Sequence, residues 1–243
     1  MEFNHKEKVS VFDVASGSVM FLKSIVQKLH TAADSHFRTE TIHADETLGK
    51  NAAWMLKKIG LEITRYPELD ENIIISTCHT GIDRFRAYRD YMIKAENEVL
   101  IKASSLWLLI DLKTKRIKRI PEEYSGSLVY NSKREMSVDI ESWKSPDTFN
   151  PDFSMNMSLR SSDFDLLGHM NNAIYLDFIE TALFEMYGQN RSVKKLLINY
   201  GKEILRDQKS VDICILKKSE RSLLFAIEKT DREVCASGEV VLY

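Results

Sequence analysis

The stretch Asp163-Phe164-Asp165-Leu166-Leu167-Gly168-His169-Met170-Asn171-Asn172-Ala173-Ile174-Tyr175 decides how this chain is read. It sets two carboxylates, an imidazole and two amides in a glycine-containing turn, and an apolar stripe begins directly after it. Ile174, Tyr175, Phe178, Ile179, Ala182, Leu183 and Met186 recur at three- and four-residue spacing, which predicts an amphipathic helix over 172–187. A turn that feeds a helix start offers unpaired backbone N–H groups and the positive end of the helix dipole. A carboxylate and an imidazole beside such a start are equipment for hydrolysing an acyl group without a metal.

Outward from this stretch, the pattern is mostly strands. A strand is expected at 154–161 before the turn, and others at about 194–206, 210–218, 221–229 and 232–242 after the helix. The first half has the same order of elements. Ser16-Gly17-Ser18 is a candidate cap for a helix over 16–37 carrying Val19, Leu22, Ile25, Val26 and Leu29. From Ala53 onward, Leu61–Tyr66, Ile73–His79, Arg84–Ile93 and Val99–Ile110 read as strands, with polar hairpin turns at 96–98 and 111–115. Residues 125–153 carry few apolar runs and two prolines, and read as a connector. Phe12-Asp13-Val14 precedes the first helix much as Phe164-Asp165-Leu166 precedes the second, but the first turn lacks the histidine and asparagines.

Composition bounds the function. A chain of 243 residues has room for two domains of roughly 100–150 residues. With 34 basic and 36 acidic side chains there is no global field for nucleic acid, so an anionic partner must meet a local patch. Cys78, Cys214 and Cys235 lack CxxC spacing and are expected as buried thiols of a cytosolic protein. The first residues lack the apolar core of a secretory signal, and no apolar run approaches the roughly 18 residues of a membrane span.

The quoted turn, Asp-x-Asp-x-x-Gly-His-Met-Asn-Asn-x-x-Tyr, resembles the active-site segment of hot-dog thioesterases. Further pieces lie in order along the chain: Trp54 with Leu61–Pro67, Tyr88-Arg89-Asp90-Tyr91, Ala103–Trp107, Arg119–Glu123 and Tyr200–Glu203. Together they resemble the acyl-acyl carrier protein thioesterases of plant plastids and bacteria. The resemblance implies an α+β tandem double hot-dog, in which each half wraps an antiparallel sheet around a long helix. The expected layout is an N-terminal hot-dog domain over 1–125 with the acyl pocket, a linker over 126–153, and a C-terminal catalytic domain over 154–243. It implies hydrolysis of fatty acyl-carrier protein to free fatty acid in a bacterial cytoplasm, with acyl carrier protein as partner and neither cofactor nor metal. Tandem halves suit a monomer, and a homodimer stays open.

The family's catalytic positions fall on Asp165, His169 and Glu203. Its asparagine between the first two falls on Leu167, and the cysteine that follows the glutamate in many plant relatives falls on Ile204. On residue type alone, Asp165 and Asp163 also suit turn capping, His169 a core position, and Glu203 a solvated strand face shared with Asn199 and Gly201. Gly168 allows backbone close to a ligand, and Asn171 and Asn172 suit a helix cap whose N–H groups face an oxyanion. Val19, Leu22, Val26 and Trp54 are the candidates for the acyl slot, with plain core as the alternative. Lys113, Lys115, Arg116 and Lys118 form a basic hairpin that suits docking of an acidic carrier protein, with Arg84, Arg86 and Arg89 as weaker candidates. The rival functions are an acyl-CoA thioesterase, a non-catalytic acyl-binding protein and a dehydratase on the same scaffold.

Overall fold

A computed structural model of the chain describes residues 2–40, 51–122, 136–144 and 149–243. Its residues group into two units, Met1–Met20 with Gln27–Ile140, and Phe21–Val26 with Glu141–Tyr243.

The first unit holds β1 (Phe3–Lys8), a 3-10 turn at Val11–Asp13, most of α1 (Leu22–Glu40), β2 (Ala52–Ile63), β3 (Asn72–Ile82), β4 (Arg86–Ala95), β5 (Glu98–Asp111) and β6 (Arg116–Ile117). Its strands are antiparallel in the order β1-β3-β4-β5-β2, with β6 paired to β5. Leu22, Ile25, Val26, Leu29 and Ala32 make the fully buried stripe of α1. Past Gln27 its remaining turns stack on strands: His36 lies on Phe3 of β1 and His30 meets Trp107 of β5 edge-on.

The helix begins at Leu22, six residues later than the spacing predicts. Gly17 and Ser18 have φ of 93° and 62°, which a right-handed helix does not admit. Residues 14–20 close instead as a turn, with Ala15 N–H donating to Val19 O at 2.8 Å and Val14 bridged to Met20.

Residues 137–140, read from sequence as connector, belong to the first unit. Ser137 N–H and Oγ donate to Asp90 Oδ2 at 2.8 Å each, and Val138 N–H donates to Ser104 Oγ at 2.9 Å. Val138 and Ile140 are buried where Gly60 leaves room; a Cβ there would stand 2.8 Å from Ile140. The rest of the connector lies largely outside the described residues.

The second unit holds β7 (Phe153–Ser158), a 3-10 turn at Ser161–Asp163, α2 (Asn172–Tyr187), β8 (Val193–Tyr200), β9 (Ser210–Lys217), β10 (Ser222–Glu228) and β11 (Val234–Leu242). Its strands are antiparallel in the order β8-β11-β10-β9-β7. α2 buries Ala173, Ile174, Tyr175, Leu176, Phe178, Ile179, Ala182 and Leu183, more than one face, because it is the helix this sheet closes around. Gly188 ends it in the left-handed region at φ 66°, its N–H donating to Phe184 O. Each large apolar side chain so buried contributes roughly 1.5–3 kcal/mol.

β8 ends at Tyr200, short of the expected strand over 194–206. Gly201 N–H donates to Cys235 O at 2.7 Å, and a Cβ there would lie 3.2 Å from Val234 O. A larger residue here would have to push the Val234 and Cys235 carbonyls back by a few tenths of an ångström, so glycine eases this close departure from the sheet. Cys78, Cys214 and Cys235 are free and buried, and burial pushes the Cys235 thiol up to about 11.

Candidate active site

The turn before α2 is built on Asp165. Its Oδ1 accepts the backbone N–H of Leu167 at 2.9 Å and of His169 at 3.0 Å, while its own N–H donates to His169 O at 2.8 Å. The sequence suggests a bond from this carboxylate to the imidazole; the contact present is to His169 backbone, and Oδ2 is left for other partners. Gly168 sits at φ 80° and donates its N–H to Asp165 O at 3.0 Å, so it closes the turn. Asp163 is fully buried and holds Arg160, its Oδ2 accepting Arg160 N–H at 2.7 Å and its Oδ1 lying 2.9 Å from the guanidinium. Asp163 is therefore a structural residue.

Glu203 arrives from the loop after β8, not from a strand face. His169 is bridged to Leu205, and Met170 N–H donates to Ile204 O at 2.9 Å, which lays this loop against the turn. His169 Nε2 then lies 3.4 Å from Glu203 Oε2, with the imidazole 20% and the carboxylate 42% exposed. The pair is open to water on one side and held by backbone on the other. Ile204 is fully buried, its side chain in the core. Tyr175 is near enough that its hydroxyl, pushed up chiefly by burial, also feels Cys235 and Glu203.

Asn171 caps α2, its side chain accepting Ala173 N–H at 2.9 Å. Tyr200 Oη donates to Asn172 O at 3.0 Å, pinning the first turn of the helix to β8. Asn171 N–H is taken by Asp163 O, whereas Asn172 N–H, the first of the helix, has no acceptor among the described residues. One donor at the dipole's positive end is thus available to an oxygen brought there. Arg206, which the sequence did not single out, passes with its Cδ and Nε 4.0 Å from the place of a Cβ on Gly168. Only the return of the 201–207 loop brings it there.

The first unit repeats the turn without the chemistry. The Val14–Met20 and Phe164–Met170 bridges, and the Ala15–Val19 and Asp165–His169 hydrogen bonds, correspond one to one. Ala15 and Val19 therefore occupy the places of Asp165 and His169. The counterpart of Asp13 is Asp163, a shift of two residues from the Phe12/Phe164 rhyme, and both aspartates accept the backbone N–H three residues earlier.

Of the four residues expected in an acyl slot, Trp54 alone lines the first unit's cavity, which holds about 310 Å³. Leu22 and Val26 are fully buried core, grouped with the second unit, and Val19 is exposed in its turn before the helix starts. Phe37, Ala87, Trp107, His30, His79 and Arg89 complete much of the cavity wall. Arg89 is 5% exposed and spends its guanidinium on His36 and His79, so it is removed from the docking candidates. Lys113, Lys115 and Arg116 are exposed on the β5–β6 hairpin and Lys118 is half-buried; Asp111 Oδ1 fixes the turn by accepting Lys113 and Thr114 N–H. Among the described residues no cluster of His, Cys, Asp and Glu is set to hold a metal ion, and no helix is long and apolar enough to cross a membrane.

Two family models match the chain: the acyl-ACP thioesterase N-terminal domain over residues 1–128, and the acyl-ACP thioesterase C-terminal domain over residues 148–240. Among curated relatives, the chloroplastic palmitoyl-acyl carrier protein thioesterase of Arabidopsis thaliana is 22% identical over 217 residues, 84% of this chain and 53% of that protein. The chloroplastic oleoyl-acyl carrier protein thioesterase 2 of the same plant is 23% identical, over 84% of this chain and 61% of its own. The chain thus spans little more than half the length of these relatives. Among solved structures, a 12:0-ACP thioesterase from Umbellularia californica superposes with a TM-score of 0.86 at 16% identity, over 100% of this chain and 97% of its own. An acyl-ACP thioesterase from Bacteroides thetaiotaomicron gives 0.84 at 17%, over 100% and 98%. At these identities the two structures speak for the fold, the double hot-dog.

Proposed function

This chain belongs to the acyl-ACP thioesterase family, and from that premise we propose that it hydrolyses the thioester of fatty acyl-acyl carrier protein. The product is free fatty acid, and the reaction ends chain elongation. The observation that carries the reading is the approach of His169 Nε2 to Glu203 Oε2 at 3.4 Å beside the start of α2. An acid–base pair is set next to a backbone donor, and the neighbouring Asp165 keeps one carboxylate oxygen for solvent.

The chemistry runs through water. Glu203 and Asp165 Oδ2 hold the attacking molecule, and its oxygen adds to the acyl carbon while Glu203 takes a proton. Asn172 N–H at the helix start faces the oxygen that becomes negative. As the carbon–sulfur bond breaks, the proton taken by Glu203 crosses to His169 Nε2, 3.4 Å away, and from there to the departing pantetheine thiolate. Acid–base help of this kind is worth roughly 10²–10⁴-fold, and one well-placed oxyanion donor about 2.7–4 kcal/mol. A thioester needs no metal for this, being already an activated acyl group. A thiol nucleophile at the place of Ile204 is excluded by the residue itself.

In this reading the first unit's cavity takes the acyl chain, and Lys113, Lys115, Arg116 and Lys118 meet the acidic carrier protein. The expected setting is the cytosol of a bacterial cell, where buried thiols stay reduced. The test is thiol release from carrier-protein and CoA thioesters of one acyl chain. A higher kcat/KM on the carrier protein supports the assignment. Equal or better hydrolysis of CoA thioesters moves the protein to the acyl-CoA class, and no release from any thioester rejects the activity.

A further inference from the structure

Tyr175 stands in the first turn of α2, and the fold leaves its hydroxyl unused. The ring packs edge-on against Tyr200 of β8, with centroids 5.2 Å apart and planes at 89°. The two phenols differ in what their oxygens do. Tyr200 Oη donates to Asn172 O at 3.0 Å, so that hydroxyl is spent on the helix. Tyr175 Oη makes no hydrogen bond among the described residues. Tyr175 is 4% exposed, and its oxygen shares in that opening, since the sealed and unbonded polar atoms of the described residues lie elsewhere. A tyrosine hydroxyl in such a place ordinarily finds a partner, because a stranded one costs free energy. Here the fold supplies none, which leaves the place to a molecule that enters.

The surroundings of that hydroxyl are the catalytic ones. A helical side chain leans back over the turn on its N-terminal side, so Tyr175 covers the start of α2. Tyr200, on which it packs, is followed at once by the loop that brings Glu203. Gly201 N–H fastens the root of this loop to Cys235 O at 2.7 Å. Tyr175 is close enough to Cys235 and Glu203 for both to bear on its phenol. Burial chiefly, and these two groups with it, push the phenol up from its usual range, so it stays an O–H and a donor.

We infer that Tyr175 is a further catalytic residue, its hydroxyl donating to the water that Glu203 activates. This rests on the thioesterase reading and adds a group to its site. A water has two hydrogens and two lone pairs. The hydrogens go to Glu203 and Asp165 Oδ2, Tyr175 O–H donates to one lone pair, and the other is left to bond the acyl carbon. As that bond forms, one water proton passes to Glu203, and Tyr175 keeps its own. What the hydroxyl adds is orientation, which a water free to turn lacks.

The experiment measures thiol release from one fatty acyl-carrier protein by wild type, Tyr175→Phe, Glu203→Gln and the double variant, with urea unfolding alongside. Tyr175→Phe keeps the ring against Tyr200 and removes an oxygen that holds nothing in the fold. It should lower kcat about tenfold or more, leave KM within about twofold and leave the urea midpoint no lower. In the Glu203→Gln background the same change should cost no more than about twofold further, since both groups act on one water. Undiminished kcat in Tyr175→Phe overturns the inference and leaves the thioesterase reading standing. So does a loss that multiplies with that of Glu203→Gln, because the hydroxyl then acts on another group. A fall in kcat accompanied by a lowered urea midpoint makes the hydroxyl structural and likewise overturns it. A wild type that releases no thiol from any thioester rejects the thioesterase reading itself, and the inference with it.

Discussion

Asp165, His169 and Glu203 owe their placement to backbone rather than to one another. Asp165 is fixed by two N–H groups of its own turn, and His169 by the bridge that brings Leu205 across. Only the His169–Glu203 contact is made side chain to side chain, so these two are expected to act as a unit. His169→Ala and Glu203→Ala should each lower kcat by roughly 10²-fold or more, and the double variant should cost little beyond either single one. Additive losses, measured by steady-state kinetics on one substrate, would show that they act apart. Leu167 is a different case. Its side chain is 58% exposed where the family pattern has asparagine, and its N–H already serves Asp165. Leu167→Asn should leave the unfolding midpoint within about 0.5 kcal/mol of wild type and raise kcat. A fall in kcat would mean that the leucine is itself adapted to the substrate.

Among the elements, α1 meets two titratable groups with opposite effects on stability, Glu180 of α2 at its start and its own His30. Its first backbone N–H, on Leu22, donates to both Glu180 oxygens at 3.0 Å within the second unit, yet burial lifts that carboxyl to about 7. Between about 4.5 and 7 the folded protein holds a proton that the unfolded chain has released, so stability falls as pH rises through this window. His30 works the other way: between about 4 and 6.5 the unfolded chain binds a proton that the fold refuses, so stability rises with pH. Glu180→Gln keeps an acceptor for Leu22 and removes the first slope. Relative to this variant, the wild type should lose on the order of 2 kcal/mol between pH 5 and 8 in urea unfolding. A pH-independent difference would remove the carboxyl from the account. Close packing gives a second expectation. A Cβ on Gly238 would lie 2.0 Å from Leu197 O and 2.3 Å from Phe225, so Gly238→Ala should destabilise by about 3 kcal/mol or more, read as a lowered urea midpoint. The elements themselves were largely legible: α2 spans the predicted residues, and β9 to β11 fall close to theirs, because period and turn residues agree there. Three boundaries were not, and the first is β2, which runs Ala52–Ile63 where the alternation marks only Leu61–Tyr66. Left-handed backbone at Gly17 and Ser18 delays α1, and Gly201 takes the chain off the sheet before Glu203; neither conformation shows in a residue pattern.

At the scale of the whole molecule, two units repeat one turn and one order of elements, and only the second carries a carboxylate and an imidazole at Asp165 and His169. That asymmetry was readable, since a Gly-His-Met-Asn-Asn run has no counterpart at Ser16-Gly17-Ser18. The cavity wall was not readable, because His30, His79, Arg89 and Trp107 come from four elements that only folding brings together. The exposed hairpin cluster belongs to this scale too. Lys115→Glu with Arg116→Glu should raise KM for carrier-protein substrates and leave CoA thioesters unchanged, as steering of an acidic partner requires. An equal change for both substrates would rule the hairpin out as the docking surface. The central claim is that the second unit's turn and the loop bearing Glu203 together hydrolyse a thioester. It is tested most directly by thiol release from fatty acyl-carrier protein with wild type, Asp165→Ala and Glu203→Gln. The account predicts turnover by the wild type and a loss of roughly 10²–10⁴-fold in both variants, with their folds intact by circular dichroism. Undiminished turnover in either variant would contradict it.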